Sequence, residues 1–213
     1  MPNWVTNTMI IKADADTIND LKDKIKAVPG SDGEYYDIGK SLYPKPIELN
    51  FVEGSSSDKC WYWYDENDER ILPPSTSDRT TKGFKEKDWG KRVELDDKEK
   101  DRLIDEHGAC NWYDWNIINY GSKWADCYTQ VKQLQNGNLI FGFESAWAPL
   151  VKLAYRISED FGCTVVLKHD SIDNAEKGEI RFREGDCYFD KWELWDLQEF
   201  FETDEQKQKK EEE

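Results

Sequence analysis

An α+β fold is predicted by three features of this sequence: a β-branched opening segment followed at once by a helical pattern, an Asn-Gly hairpin signal in the second half, and a proline-started amphipathic helix just after it. Residues 4–12, Trp4-Val5-Thr6-Asn7-Thr8-Met9-Ile10-Ile11-Lys12, read as a first strand. Asp14 or Asp16 then caps a helix in which Ile18, Leu21 and Ile25 recur at helical spacing, and Pro29-Gly30 stops it. From about residue 30 to residue 92 the periodicity breaks down. A linker-like Gly54-Ser55-Ser56-Ser57 and a turn-rich Pro73-Pro74-Ser75-Thr76-Ser77 bracket the strand-forming run Cys60-Trp61-Tyr62-Trp63-Tyr64.

Glu94 to Glu106 is strongly charged and reads as an exposed helix ended by Gly108. Residues 111–120 form a second, shorter helix, with Trp112, Trp115 and Asn119 sharing one face, closed by Gly121-Ser122. Trp124–Gln133 and Asn138–Trp147 are two strands joined through Asn136-Gly137, residues that tolerate the positive φ of a tight hairpin. Pro149 opens a helix carrying Leu150, Leu153, Ala154 and Ile157 on one stripe, ending at Gly162. Cys163–His169 is the next strand, and Gly178–Arg183 with Cys187–Phe189 make a last hairpin around Gly185. The order is β-α-insertion-β-β-α-β plus an extra hairpin, the split β-α-β plan of a ferredoxin-like sandwich.

Three short blocks carry a resemblance: the opening Met1-Pro2-Asn3-Trp4-Val5-Thr6-Asn7, the segment Asn111-Trp112-Tyr113-Asp114-Trp115 with Asn119-Tyr120-Gly121-Ser122-Lys123-Trp124, and Phe143-Glu144-Ser145-Ala146-Trp147-Ala148-Pro149 before Phe182-Arg183-Glu184-Gly185-Asp186. In this order the chain resembles the YubB-like family of small phage and plasmid proteins. The family tends to have a tryptophan where this chain has Tyr120 and a threonine where it has Ser122. The resemblance covers the first strand and roughly residues 109–195, and it implies a ferredoxin-like domain and a mobile-element origin without supplying a reaction. The domain plan that follows is residues 1–29 and 109–198 as the ferredoxin-like unit, 30–108 as a loop-rich insertion with a helix near 94–107, and 199–213 as an acidic, disordered tail with no apolar residue after Phe201.

A formal net charge of -16 argues against binding nucleic acid through its phosphates, which takes a basic face that displaces counterions. A basic protein partner suits the charge, as does simple solubility. The five cysteines, Cys60, Cys110, Cys127, Cys163 and Cys187, contain no CxxC pair, so neither a zinc site nor any other cofactor is expected. With no signal peptide and no apolar run of membrane length, the expected compartment is intracellular, with reduced thiols, and the resemblance implies that it is the cytoplasm of a bacterial host.

Catalytic signatures are absent: no phosphate loop, GxSxG elbow, HExxH or EF-hand pattern, and His107 and His169 lie far apart in the sequence. His169, next to Asp170, is read as ending an edge strand. Two aromatic groups remain as candidate binding sites. Trp61, Tyr62, Trp63 and Tyr64, followed by Asp65, Glu66, Asp68 and Glu69, offer a protein-contact patch in which strand alternation exposes one ring pair inside an acidic rim. Trp112, Asp114, Trp115, Lys123, Trp124 and Trp147 offer a groove, although rings at helical spacing are first of all core. The function expected is therefore a non-enzymatic phage or plasmid accessory protein that binds and inhibits a basic host factor, a defence nuclease or another nucleic-acid-binding enzyme, through an acidic, nucleic-acid-mimicking surface. The alternative is a small-molecule protein that binds or sequesters a nucleotide in the tryptophan groove, since aromatic faces stack bases.

Overall fold

The structure, a computed structural model, describes residues 3–30, 33–54, 59–80, 83 and 85–194. The tail at 199–213 and Ser55–Ser57 of the linker lie outside the described residues. The fold is α+β with antiparallel sheets. Strand β1 (Trp4–Lys12) alternates as its sequence requires, turning Val5, Asn7, Met9 and Ile11 inward. Helix α1 (Ala15–Lys24) is capped by Asp14, which accepts from the Thr17 amide at 2.8 Å.

The chain leaves α1 at Ile25 and enters a hairpin of β2 (Ala27–Gly30) and β3 (Gly33–Tyr36), so Pro29-Gly30 belong to a strand rather than to a helix stop. The middle of the chain adds α2 (Ile38–Leu42), a 3-10 turn (Ile47–Phe51), β4 (Val52–Glu53), β5 (Trp61–Tyr64), β6 (Arg70–Ile71), α3 (Thr76–Thr80), α4 (Glu86–Trp89) and β7 (Lys91–Glu94). Helix α5 (Asp97–His107) ends on the left-handed Gly108 at φ 79°, as the sequence predicts. After it come α6 (Trp112–Tyr120), β8 (Cys127–Gln133), β9 (Leu139–Ala146), α7 (Val151–Asp160), β10 (Thr164–Ser171), β11 (Glu176–Arg183) and β12 (Asp186–Leu194).

The main sheet runs β12-β11-β10-β1-β9-β8-β3-β2, every neighbour antiparallel. Its inner face presents Met9, Ile11, Phe141, Phe143, Val165, Leu167, Ile180 and Phe182 to Ile18 and Leu21 of α1 and to Leu153, Ala154 and Ile157 of α7. The same core continues into Leu49, Val52, Cys60, Tyr62, Leu95 and Leu103, so residues 30–108 share their apolar interior with the rest of the chain. The sheet likewise crosses the expected boundary at residue 30, because Tyr36 of β3 pairs with Thr129 of β8. A second sheet sets β4 and β6 on one edge of β5 and β7 on the other.

Strand β8 begins at Cys127 rather than Trp124, since Asp126 (φ 34°) turns the backbone out of the extended region, and Tyr128 (φ 56°) falls where the β8–β9 register shifts between Cys127 and Gln130. The reason is tertiary: the Asp126 carboxylate turns away to accept from the Ile38 and Gly39 amides at the start of α2. His169 faces inward opposite Asn7 while Asp170 faces outward, so the two do not form an acid-base pair. Its ring lies 4.2 Å from that of Trp192 with both nitrogens unpartnered, and burial pushes its pKa down. Gly178, opposite His169, leaves room for the imidazole, because a Cβ there would lie 2.3 Å from Nε2 and 2.8 Å from the Lys191 carbonyl. Gly178→Ala is expected to cost about 1–3 kcal/mol as overpacking, read as a lower denaturant midpoint.

Candidate functional site, a tryptophan cage around a lysine

Helix α6 is fixed by its own first residues. Asn111 accepts from the Asp114 amide at 2.9 Å and donates Nδ2 to the Asp114 carboxylate at 2.7 Å, a reciprocal cap that accounts for Asp114 structurally. Trp115 points inward, 5% exposed, with its ring edge-on to Tyr120 at 5.2 Å. Gly121 (φ 94°) ends the helix, and a side chain there would crowd the Lys152 amide at 3.3 Å. Ser122, buried, donates to the Ala146 carbonyl at 2.6 Å, while Asn116 donates to the Lys123 carbonyl at 2.8 Å. Pinned on both sides, the next two side chains turn outward.

Lys123 Nζ then lies among four rings, 4.5 Å from the centroid of Trp124, 5.0 Å from Trp147, 5.7 Å from Tyr113 and 5.8 Å from Trp112. Trp4, Trp124 and Trp147 form a stacked ladder with centroid spacings of 6.2 and 6.3 Å. Two of its rings stand in solvent, Trp124 at 40% and Trp147 at 43% exposure. Trp147 is held at φ 66°, a left-handed backbone that costs a bulky L-residue roughly 1–2 kcal/mol. Its amide donates to the Asn3 carbonyl at 2.8 Å, its carbonyl accepts from Asn174 at 3.4 Å, and Asn3 is tied to Asn174 at 2.9 Å. Strain of this kind persists only where neighbours over-determine it, and here its result is an outward-facing ring.

Of the groove residues read from the sequence, Trp112, Lys123, Trp124 and Trp147 come together, whereas Trp115 belongs to the core and Asp114 to the helix cap. Trp4, Tyr113 and Lys45 join them without having been singled out. Trp4 pairs with Ala146 across β1 and β9, a register that brings its ring onto Trp124 at the end of the stack and that no local pattern reveals. Lys45 Nζ lies 5.8 Å from the Trp112 ring, and burial, with Lys40 nearby, lowers its pKa to about 8.

The aromatic run of β5 is differently placed. Tyr62 and Trp63 are both buried, one on each face, so neither face offers an open ring pair. The Tyr62 hydroxyl donates to Glu99 at 2.9 Å beneath the Arg70 guanidinium, 3.6 Å from the ring. Trp63 Nε1 donates to Glu53 at 2.5 Å, and half-buried Trp61 lies under Arg92 at 3.8 Å. Tyr64, also half-buried, packs edge-on to Tyr62. Asp65 accepts from the Asn67 and Glu69 amides and so builds the β5–β6 turn, leaving Glu66, Asp68 and Glu69 exposed. Their neighbours Glu48, Glu53 and Glu99 are answered by the chain's own arginines; Arg102 above all holds Glu48 down to about 2.

Glu48, Glu106 and His107 could bring one ligand atom each within 4.8 Å of one another, but the Arg102 guanidinium already bridges both carboxylates. No helix among the described residues is long and apolar enough to cross a membrane.

No family model matches the chain, and no curated protein matches it. Among solved structures it is similar to the crystal structure of a protein api92 from Yersinia pseudotuberculosis, of the family model DUF1281, at 10% identity and a TM-score of 0.46, over 90% of this chain and 98% of that one.

Proposed function

We propose that the chain is a non-enzymatic binding protein with a ferredoxin-like core, and that its contact centre is the tryptophan cage rather than the aromatic strand of the insertion. The core assignment is supported by the order β10-β1-β9-β8, in which β8 and β9 form a hairpin and α1 and α7 make the two crossovers. The observation that carries the binding reading is Trp147, an exposed indole held in a strained backbone and stacked on Trp124. Large rings at such positions are the usual anchors of an interface.

The resemblance to phage and plasmid proteins and the net charge of -16 favour a basic bacterial partner, a defence nuclease or another nucleic-acid-binding enzyme whose action the chain would inhibit. The chain's net charge of -16 would steer such a partner, so binding should weaken as salt rises. Nucleotide binding is the second reading, favoured by Lys45 and Lys123, each 5.8 Å from the Trp112 ring, where a stacked base would find cations for its phosphate.

The test is affinity capture from bacterial lysate with the tagged chain at low and high salt, followed by mass spectrometry. A basic protein retained at low salt and released at high salt is the expected result. A retained ultraviolet-absorbing small molecule with no protein would replace this reading by the second.

A further inference from the structure

Building on the binding reading, we propose that the cage is a receptor for a cation, the ammonium of a partner's lysine, and that Lys123 is the stand-in that fills it in the free protein. The arrangement around Lys123 Nζ is that of an alkylammonium site: four aromatic rings within 5.8 Å. Each ring presents the negative face of its quadrupole, and such contacts strengthen when the cation loses water. Among the described residues Lys123 makes no ion pair and its ammonium no hydrogen bond, so the rings alone hold it.

That has a consequence for exchange. Only the Lys123 carbonyl is fastened, by Asn116, so the side chain can swing into water on its flexible stem while the backbone stays where it is. An incoming ammonium regains the ring contacts that Lys123 gives up. The exchange is close to neutral for a free cation, and it becomes favourable when the cation arrives on a basic protein drawn by the net charge of -16. Lys123 thereby keeps stray cations out of the cage and keeps the exposed rings from presenting a bare apolar face.

The experiment titrates the full chain and its Lys123→Ala variant with tetramethylammonium chloride, with sodium chloride at equal ionic strength as the reference. The indole N–H signals of Trp124 and Trp147, assigned through Trp124→Phe and Trp147→Phe, are followed by NMR. The variant is expected to give saturable shifts of both signals at about one-tenth of the concentration the parent needs. Shifts in the variant no larger than those from sodium chloride, with its circular dichroism unchanged, would overturn the proposal. Should Lys123→Ala fail to fold, Lys123→Gln removes the same charge while retaining most of the stem, and is read identically. Loss of partner capture on mutating Trp147, alongside a cage indifferent to tetramethylammonium, would overturn the cationic occupant while leaving the binding reading standing.

Discussion

Trp115→Ala is expected to destabilise the protein by about 3–5 kcal/mol, the range for removing a large aromatic from a close-packed core. The ring is 5% exposed and meets Tyr120 edge-on at 5.2 Å, and Tyr120 in turn donates to the Tyr43 carbonyl at 2.7 Å. Its removal therefore opens a void between α6 and the chain after α2. Chemical denaturation of the purified variant measures the loss. A variant as stable as the parent would show that Trp115 packs on nothing essential and would return it to the list of binding candidates.

Asp126 is expected to make the parent less stable as pH rises. Burial, and then the charge of Asp37, raise its pKa from 3.8 to about 7 in the folded chain, against the two amide hydrogen bonds from α2 that favour the carboxylate. Below about pH 4 both states hold the proton and the residue contributes nothing to the pH dependence. Between about pH 4 and 7 the unfolded chain ionises while the folded one does not, and stability falls by roughly 1.4 kcal/mol per pH unit. Above that window the penalty levels off at about 4 kcal/mol.

Asp126→Asn keeps an oxygen for the Ile38 and Gly39 amides and removes the charge. It should therefore be more stable than the parent at pH 8 and equal to it near pH 4. Glu48, Glu53 and Glu99, whose pKa values are lowered by their arginines, act in the opposite sense at lower pH and are common to both proteins, so the difference between the two denaturation midpoints isolates Asp126. A difference that does not change between pH 4 and 8 would contradict the assignment.

Local chemistry made much of this fold legible. The period-two run from Trp4 to Lys12 matches β1 residue for residue, and Asn136-Gly137 joins β8 to β9. The α5 and α6 ends sit on Gly108 and Gly121 because a left-handed residue must close each helix. The β2–β3 hairpin escaped notice because its four-residue strands contain Pro29, Gly30 and Gly33, residues that locally argue for a break. The start of β8 was set by α2, whose first amides meet Asp126 from 88 residues away in the chain.

The site divides in the same manner. Helical spacing could bring Trp112 and Trp115 together but could not say which would face the core, since that depends on what packs over α6. On β5, strand alternation suggested a free ring pair, and what covers the two faces is the chain's own arginines, Arg70 stacked on Tyr62 on one and Arg92 on Trp61 on the other. Such cross-strand cation contacts leave no signature in a run of aromatics. The left-handed backbone at Trp147, the feature that points most directly to a site, arises from ties to Asn3 and Asn174 at distant positions in the sequence.

The central claim, that recognition is centred on the cage and not on the acidic turn of the insertion, is tested most directly by the affinity of the captured partner for two variants. Trp147→Gly removes the ring and relieves the left-handed strain, so it should fold as well as the parent while its dissociation rate rises at least tenfold. A variant in which Glu66, Asp68 and Glu69 are replaced by Gln, Asn and Gln should change only the rate of association, and only modestly. The reverse outcome, a Trp147→Gly protein that binds like the parent and a turn variant that loses its partner, would contradict the account and place the interface on the insertion.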